Sequence, residues 1–279
     1  MSTLQSFNQE LHISHSQIFT YLNCSLKYKF QYIEGKPMER ISIALPFGGA
    51  IHSAIEMYYR SLKNHGSAET LEALCERFET CLELDLENSE IPVVFKNKDL
   101  PNHEGAVKMG NSMLKVFHET IPQTLQNVQE IIGVELPLTA KLYTEDSLPT
   151  EFKLAGILDL IIRDKDGYVI VIDNKTAAKP IADAEENMQM SSYAYLICGN
   201  KFVLPTSQVQ CRFDVLRKLK TPTFEQVSTV RNADQRRRFA KIACSVLSAI
   251  DAGIHIPQNS WMCVDCGFSA ACKTWHLQS

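Results

Sequence analysis

The chain lacks any run of apolar residues long enough to cross a bilayer, and its opening, MSTLQSFNQELHIS, is too polar to act as a secretory leader. That argues against helical membrane insertion, and a reducing cytoplasmic setting is the expected location. Surplus positive charge is lacking too. With 28 Lys and Arg against 32 Asp and Glu, the formal net charge of −4 gives no overall attraction to nucleic acid or to an anionic membrane. Phosphate could be met only by local basic clusters or through bound cations. There is no internal repeat, low-complexity tract or long Pro/Gly/Ser linker, so one domain spanning residues 1–279 is expected. An even cysteine count is missing as well. Nine cysteines do not make a fully paired disulfide framework, whereas reduced thiols remain free to ligate metal.

What is present can bury a sizeable core, since 45% of the residues are hydrophobic. Residues 1–128 read as mainly helical. From Ser14 to about Gly35 the pattern predicts a short helix capped by Ser14 or Ser16, a turn at Cys24 and an aromatic segment, Tyr28-Lys-Phe-Gln-Tyr32. Gly48-Gly49 is expected to open a helix reaching about Asn64, striped by Ile51, Ile55, Tyr58 and Tyr59, with two further amphipathic segments near 68–85 and 104–121. Within 129–230 the period changes. The stretches 130–137, 154–163, 168–174, 208–216 and 223–230 predict strands, with a helix over 182–197 between the third and fourth. Residues 231–279 add a helix from about Asp234 to Ala252, stopped by Gly253, and a cysteine-rich tail. This order predicts an α/β or α+β fold with a mixed sheet.

Two local basic clusters stand out: Arg236-Arg237-Arg238 with Arg231 and Lys241, and Arg217, Lys218 and Lys220. Each is expected to be a solvated face or a contact to DNA. Four cysteines form the other unusual pattern: Cys24 alone, and Cys263, Cys266 and Cys272 in a C-x2-C-x5-C array near the end. If all four bind one centre, folding brings the two ends of the chain together like a clasp. Paired thiolates suit zinc, while a 4Fe–4S cluster accepts four thiolates without paired spacing. The remaining five cysteines read as ordinary core residues.

Residues 155–177, AGILDLIIRDKDGYVIVIDNKTA, predict a hairpin turning at Asp164-Lys-Asp-Gly167. If Arg163 pairs with Tyr168, Asp159 faces Ile172; a loop longer by one residue puts it opposite Asp173. Either register brings two carboxylates together, with Lys175 on the face of Asp173. An Asp inside Gly-Ile-Leu-Asp-Leu-Ile-Ile needs a partner, because an unpaired buried carboxylate is costly. A salt bridge from Asp159 to Lys175 is one explanation. The second acid favours another, a divalent cation held by both acids with the lysine beside the reacting phosphate or water.

The set Asp159, Asp173-Asn-Lys175 and Gln189-Met-Ser-Ser-Tyr193, preceded by His52 and closed by the four cysteines, resembles the PD-(D/E)XK nuclease superfamily. Within it the chain is similar to the RecB-like iron–sulfur branch, which includes the AddB nuclease domain and the CRISPR-associated exonucleases. The resemblance implies a restriction-endonuclease-like core with an N-terminal helical insertion and an iron–sulfur clasp joining the termini. It implies a 4Fe–4S cluster on Cys24, Cys263, Cys266 and Cys272, and Mg or Mn on Asp159, Asp173, His52 and the carbonyl of Asn174. Lys175 would position or deprotonate the attacking water, Gln189 and Tyr193 would share one helix face toward the site and the DNA strand, and Glu135 would be an additional acid. Two positions depart from the pattern: Ser25 stands where many relatives have proline, and Asp173 where many have glutamate. The implied function is metal-dependent hydrolysis of DNA phosphodiester bonds, from a single-stranded or free end. The alternative is a DNA-end-binding or assembly subunit serving a helicase or a CRISPR integrase. A zinc-stabilised regulator is a third reading, and it leaves the hairpin carboxylates unexplained.

Overall fold

A computed structural model describes residues 11–95 and 98–277. The chain enters through strand β1 (His12–Ser14) and helix α1 (His15–Asn23). Ser14 caps α1 in a reciprocal capping box with Gln17. A short helix α2 (Ser25–Tyr28) and a π-helical turn follow, then β2 (Ile41–Ser42) and three longer helices: α3 (Ala44–His65), α4 (Leu71–Glu87) and α5 (His103–Thr124), with β3 (Val93–Val94) between the last two. Helix α3 begins four residues before the expected Gly48-Gly49. Pro46 lies in its first turn, where the missing N–H has no helical partner anyway.

Strands β4 (Val128–Tyr143), β5 (Pro149–Asp164) and β6 (Val169–Ala177) come next, then α6 (Met188–Gly199), β7 (Val209–Arg217), β8 (Thr223–Arg231), α7 (Ala233–Asp251) and α8 (Ser269–Leu277). Helix α6 starts at Met188 rather than 182, because Asn187 caps it and 184–186 form a separate 3₁₀ turn. The β5–β6 turn is the expected one. Asp164 Oδ1 accepts from the N–H groups of Asp166 and Tyr168, and Gly167 supplies a φ of 87°. Arg163 pairs with Val169, which is the longer-loop register.

Strand β5 organises the mixed sheet. One edge pairs antiparallel with β4 along most of its length. The other is shared: β1 runs parallel to residues 153–155, and β6 runs antiparallel to residues 160–163. Beyond Ile172, β6 continues beside β7 in parallel pairing, and β8 closes that side antiparallel to β7. Residues 156–159 therefore have no ladder partner on the shared edge, and a fork opens there. Helices cover both faces. Leu158, Ile161, Val171, Phe213 and Val215 pack with α1, α6 and α7, while Leu160, Ile162 and Ile172 pack with α3, α4 and α5. Among the described residues no helix is long and apolar enough to cross a membrane.

Half of the residues in the two basic clusters are not on solvated faces. Arg217, Lys218, Arg231 and Arg236 are buried. The Arg231 guanidinium donates to Ser191, Thr229 and Val230 and to the carbonyls of Ala184 and Asn187, so it ties the segment that launches α6 to β8. Arg217 pairs with Glu225, and Arg236 donates to the carbonyls of Pro205, Ser207 and Arg231. Backbone carbonyls take up the Arg231 and Arg236 guanidinium groups, where a surface arginine would meet water.

Candidate active site

The fork collects the polar residues that the sequence pattern marks. At its root the Asp159 carboxylate replaces the missing ladder partner: its Oδ2 accepts the Asn174 backbone N–H at 2.8 Å. The next residues on β6 are Asp173 and Lys175. Lys175 Nζ lies 2.8 Å from Asp173 Oδ2, so the lysine pairs with Asp173 rather than forming the salt bridge to Asp159. From α6, the Gln189 side-chain amide donates to Asp173 Oδ1 at 2.8 Å and to Tyr193 Oη at 2.8 Å, while its carbonyl accepts from Lys175 Nζ at 3.0 Å. The Tyr193 hydroxyl also lies 3.4 Å from Asp173 Oδ1. Residues i and i+4 on one helix face thus meet one carboxylate from β6.

The opposite wall comes from α3 and β4. His52 Nδ1 stands 3.6 Å from Asp159 Oδ2. Glu135 lies between Val134, paired with Leu160, and Leu136, paired with Leu158, and so faces Asp159 across the ladder. Its φ of 46° is left-handed, a strained conformation for a non-glycine residue, and one met most often where a side chain must be aimed. His52, Glu135 and Asp159 each offer a ligand atom, all within 4.8 Å of one another. Asp173 stands outside that trio because its carboxylate is turned toward Lys175 and Gln189.

Burial holds the carboxyls of Asp159 and Asp173 above the usual range, against the pull of Lys175 on both and of the Asn174 N–H on Asp159. Glu135 is pushed up to about 7 by burial, then by the charges of Asp159 and Glu56. Burial lowers His52 below the ordinary histidine value, with Asp173 opposing, and leaves a neutral imidazole that can ligate. Three acids that resist ionising together, beside a neutral imidazole, form a donor set suited to a hard divalent cation. Asp173 Oδ2 fits the same role: besides the Lys175 amine it accepts no well-aligned hydrogen bond.

Two groups reach the site unmarked by the sequence pattern. Burial and the nearby Lys175 lower His15 to about 4, so this first residue of α1 stays neutral beside the fork. Arg60 holds Glu56 at 2.5 Å and acts on the charge of Glu135. Glu56 is visible in the sequence as the companion of His52 one turn on, whereas its i, i+4 spacing is the only trace of Arg60. Cavities of about 430 Å³ on the His52–Glu135 side and about 400 Å³ on the Gln189–Tyr193 side flank the fork.

A family model described as the PD-(D/E)XK nuclease superfamily matches residues 12–273. The chain belongs to that superfamily. Its fold is similar to that of "Putative exonuclease" from Eubacterium rectale, at a TM-score of 0.53 and 13% identity, over 94% of this chain and 88% of the other. The structure named SSO0001 shows 15% identity over 90% of this chain and 94% of the other, at a TM-score of 0.35. No curated protein matches the sequence. At 13% identity the likeness to the Eubacterium rectale structure speaks for the fold alone, and the superfamily assignment rests on the family match. Membership makes a divalent metal the expected cofactor of the acidic fork.

The four marked cysteines lie where the end of α1 meets the C-terminal segment. Cys24, Cys266 and Cys272 pack around Leu26, Phe30 and Phe268. Burial raises the Cys272 thiol, and Cys24, Cys266 and Cys263 are all close enough to raise it further. The N–H of Lys27 points at Cys24 Sγ (3.4 Å) and that of Ser260 at Cys263 Sγ (3.5 Å). The flanking chain ends are tied directly. Leu26 N–H donates to the Ile256 carbonyl, Ser25 Oγ bonds both polar groups of Ile256, and Glu39 N–H donates to the Gly267 carbonyl. A Cβ on Gly267 would sit 2.9 Å from the Arg40 carbonyl oxygen, so only glycine fits that approach unchanged.

Proposed function

We propose that this chain is a metal-dependent DNA nuclease that hydrolyses phosphodiester bonds in single strands from a free end, with residues 1–279 acting as one unit. The observation that carries this reading is the fork itself, where Asp159, Asp173, Lys175 and Gln189 form one connected network facing His52 and Glu135. Asp159, Asp173, Glu135 and His52, with the Asn174 carbonyl, would hold Mg or Mn, and the imidazole favours Mn. Bound there, the cation would polarise the phosphate and lower the pKa of a bound water.

The chain's own residues supply the rest. Lys175, fixed by Asp173 and Gln189, offsets charge that builds on the phosphate oxygens and orients the attacking water. Gln189 fixes Lys175 and Tyr193 together, so the three act as a unit. Tyr193 stays a neutral hydrogen-bond donor, since burial holds its hydroxyl well above the usual tyrosine range. Preference for an end draws on the superfamily and on the name of the Eubacterium rectale neighbour.

We further assign a 4Fe–4S cluster to Cys24, Cys263, Cys266 and Cys272, pinning the C-terminal tail against α1 and α2. The closeness of Cys24, Cys263 and Cys266 to Cys272 supports it. Protein purified without oxygen should be brown, absorbing broadly at about 400 nm. A colourless sample with one stoichiometric zinc would reject the cluster.

The deciding experiment is digestion of end-labelled single- and double-stranded DNA with Mg²⁺ or Mn²⁺, which reports activity, substrate and polarity together. Cleavage should disappear with EDTA. Strand binding without turnover in Mn²⁺ would instead favour the end-binding or assembly subunit, working for a helicase or CRISPR integrase.

A further inference from the structure

A further cavity, of about 970 Å³, opens on the far side of α6 from the fork. Tyr193 and Tyr195 are two residues apart, about 200° around the helix, so one faces the catalytic network and the other lines this groove. The end of β4, the turn after it, the end of α6 and the first turns of α7 form the walls. Their charge is one-sided: Lys141, Lys201, Arg237, Arg238 and Lys241 line the groove against a single lining carboxylate, Glu145. Arg236 also lines it, but backbone carbonyls already occupy its guanidinium.

Three of the five exposed cations have acid partners, Lys241 with Glu145 at 2.8 Å, Arg238 with Glu186 and Arg237 with Asp234. Lys141 and Lys201 have no acid partner among the described residues. Exposed ion pairs are weak and exchange readily for phosphate. In a chain of net charge −4, this groove is a local exception. Tyr143, 44% exposed, adds an aromatic face among the cations. Lys201 adds an oddity: it has a φ of 62° just past the end of α6, a left-handed position that glycine fills without strain. A lysine there places a cation at the groove.

We propose that this groove binds the substrate strand away from the reacting phosphate, its backbone on the lysines and arginines and a base stacked on Tyr143. The proposal rests on the nuclease reading and extends it to a second contact zone. Combining several phosphate contacts with an aromatic face is how sequence-independent single-strand sites are built.

The test separates the groove from catalysis. Binding of a labelled oligonucleotide of about 20 nucleotides, longer than the roughly 4–16 that one such site engages, is measured in EDTA over a range of salt. The Lys141→Glu/Lys201→Glu double variant should weaken binding at least about tenfold and flatten the dependence of log K on log salt by about 1.4, two contacts at about 0.7 each. Tyr143→Ala should weaken binding with no change in that slope. Lys201→Gly relieves the backbone and should raise Tm while still weakening binding, so loss of fold cannot imitate the result. In Mn²⁺, hydrolysis of bis(4-nitrophenyl) phosphate, too small to span both zones, should be unchanged in all three. Wild-type affinity and slope in the double variant would overturn the groove. Failure of the wild type to hydrolyse either substrate would overturn the nuclease reading instead, with the EDTA binding data still judging the groove.

Discussion

The catalytic fork and the cysteine-bearing region are assembled in opposite ways. At the fork, polar side chains are held by one another and by backbone, and the strands carrying them lie between two extensive apolar cores. In the cysteine-bearing region Leu26, Phe30 and Phe268 form the buried centre among the described residues, and hydrogen bonds scattered between Ser25–Glu39 and Ile256–Gly267 join the two segments. A core that small cannot hold a segment by burial alone, which is the usual setting for a covalent or metal staple. On the proposed reading the fork is a preformed cation site, and the cysteine-bearing region is a joint that depends on its crosslink.

If that contrast is right, damage to the fork removes chemistry and spares the fold. Lys175→Ala should lower the rate of strand cleavage by about 10²–10³-fold. Asp159→Asn and Asp173→Asn, which keep shape and part of the hydrogen bonding, should lower it at least as much. Circular dichroism, thermal unfolding and cluster colour should stay near wild type. Cleavage surviving in the triple variant would mean that the measured activity belongs to another site or to a contaminant.

Damage to the joint should do the reverse. Removing the cluster, or replacing Cys266 and Cys272 by serine, should release the tail, and amide exchange over residues 254–277 should approach that of an open chain while 158–175 stay protected. Equal loss of protection in both regions would show that the joint and the fork unfold together, and would erase the contrast. A smaller effect is expected from Arg231→Met, which leaves several buried carbonyls without a donor. It should cost about 3 kcal/mol in denaturant unfolding and loosen α6, raising KM more than it changes cluster colour.

Legibility in the sequence follows the range of the interactions. The β5–β6 hairpin, its Asp-x-x-Gly turn and the Asp, Asp and Lys that meet in the fork are visible because they lie within about twenty residues of one another, and because an acid in an apolar strand demands an explanation. The Ser14–Gln17 cap is local in the same sense. What is hidden is long-range. The fork exists because β1 stops at Ser14 beside Ala155 and β6 begins pairing only at Leu160, and a three-residue parallel pairing leaves no periodic trace. The left-handed backbone at Glu135, in a stretch of β4 whose register runs on without a shift, is a conformational feature and not a residue pattern. Arg217, Arg231 and Arg236 look like surface charge until the carbonyls that cap them are brought in from segments tens of residues away.

The gentlest test uses pH. Glu135 titrates at about 7 in the fold against an ordinary value of 4.5, and Asp159 and Asp173 are shifted the same way. An acid whose folded pKa is raised keeps its proton longer in the folded state. Its contribution to stability is complete below the unfolded value and is lost as pH climbs toward the folded one. The metal-free protein should therefore lose a few degrees of Tm between about pH 4.5 and pH 7 on this account, and Glu135→Gln should flatten that part of the profile. Metal binding runs the other way, because a ligating carboxylate must shed its proton, so the apparent affinity for Mn²⁺ should rise over the same interval. No such rise in the wild type, or an identical rise in Glu135→Gln, would place Glu135 outside the cation's reach and leave the fork resting on Asp159, Asp173 and His52.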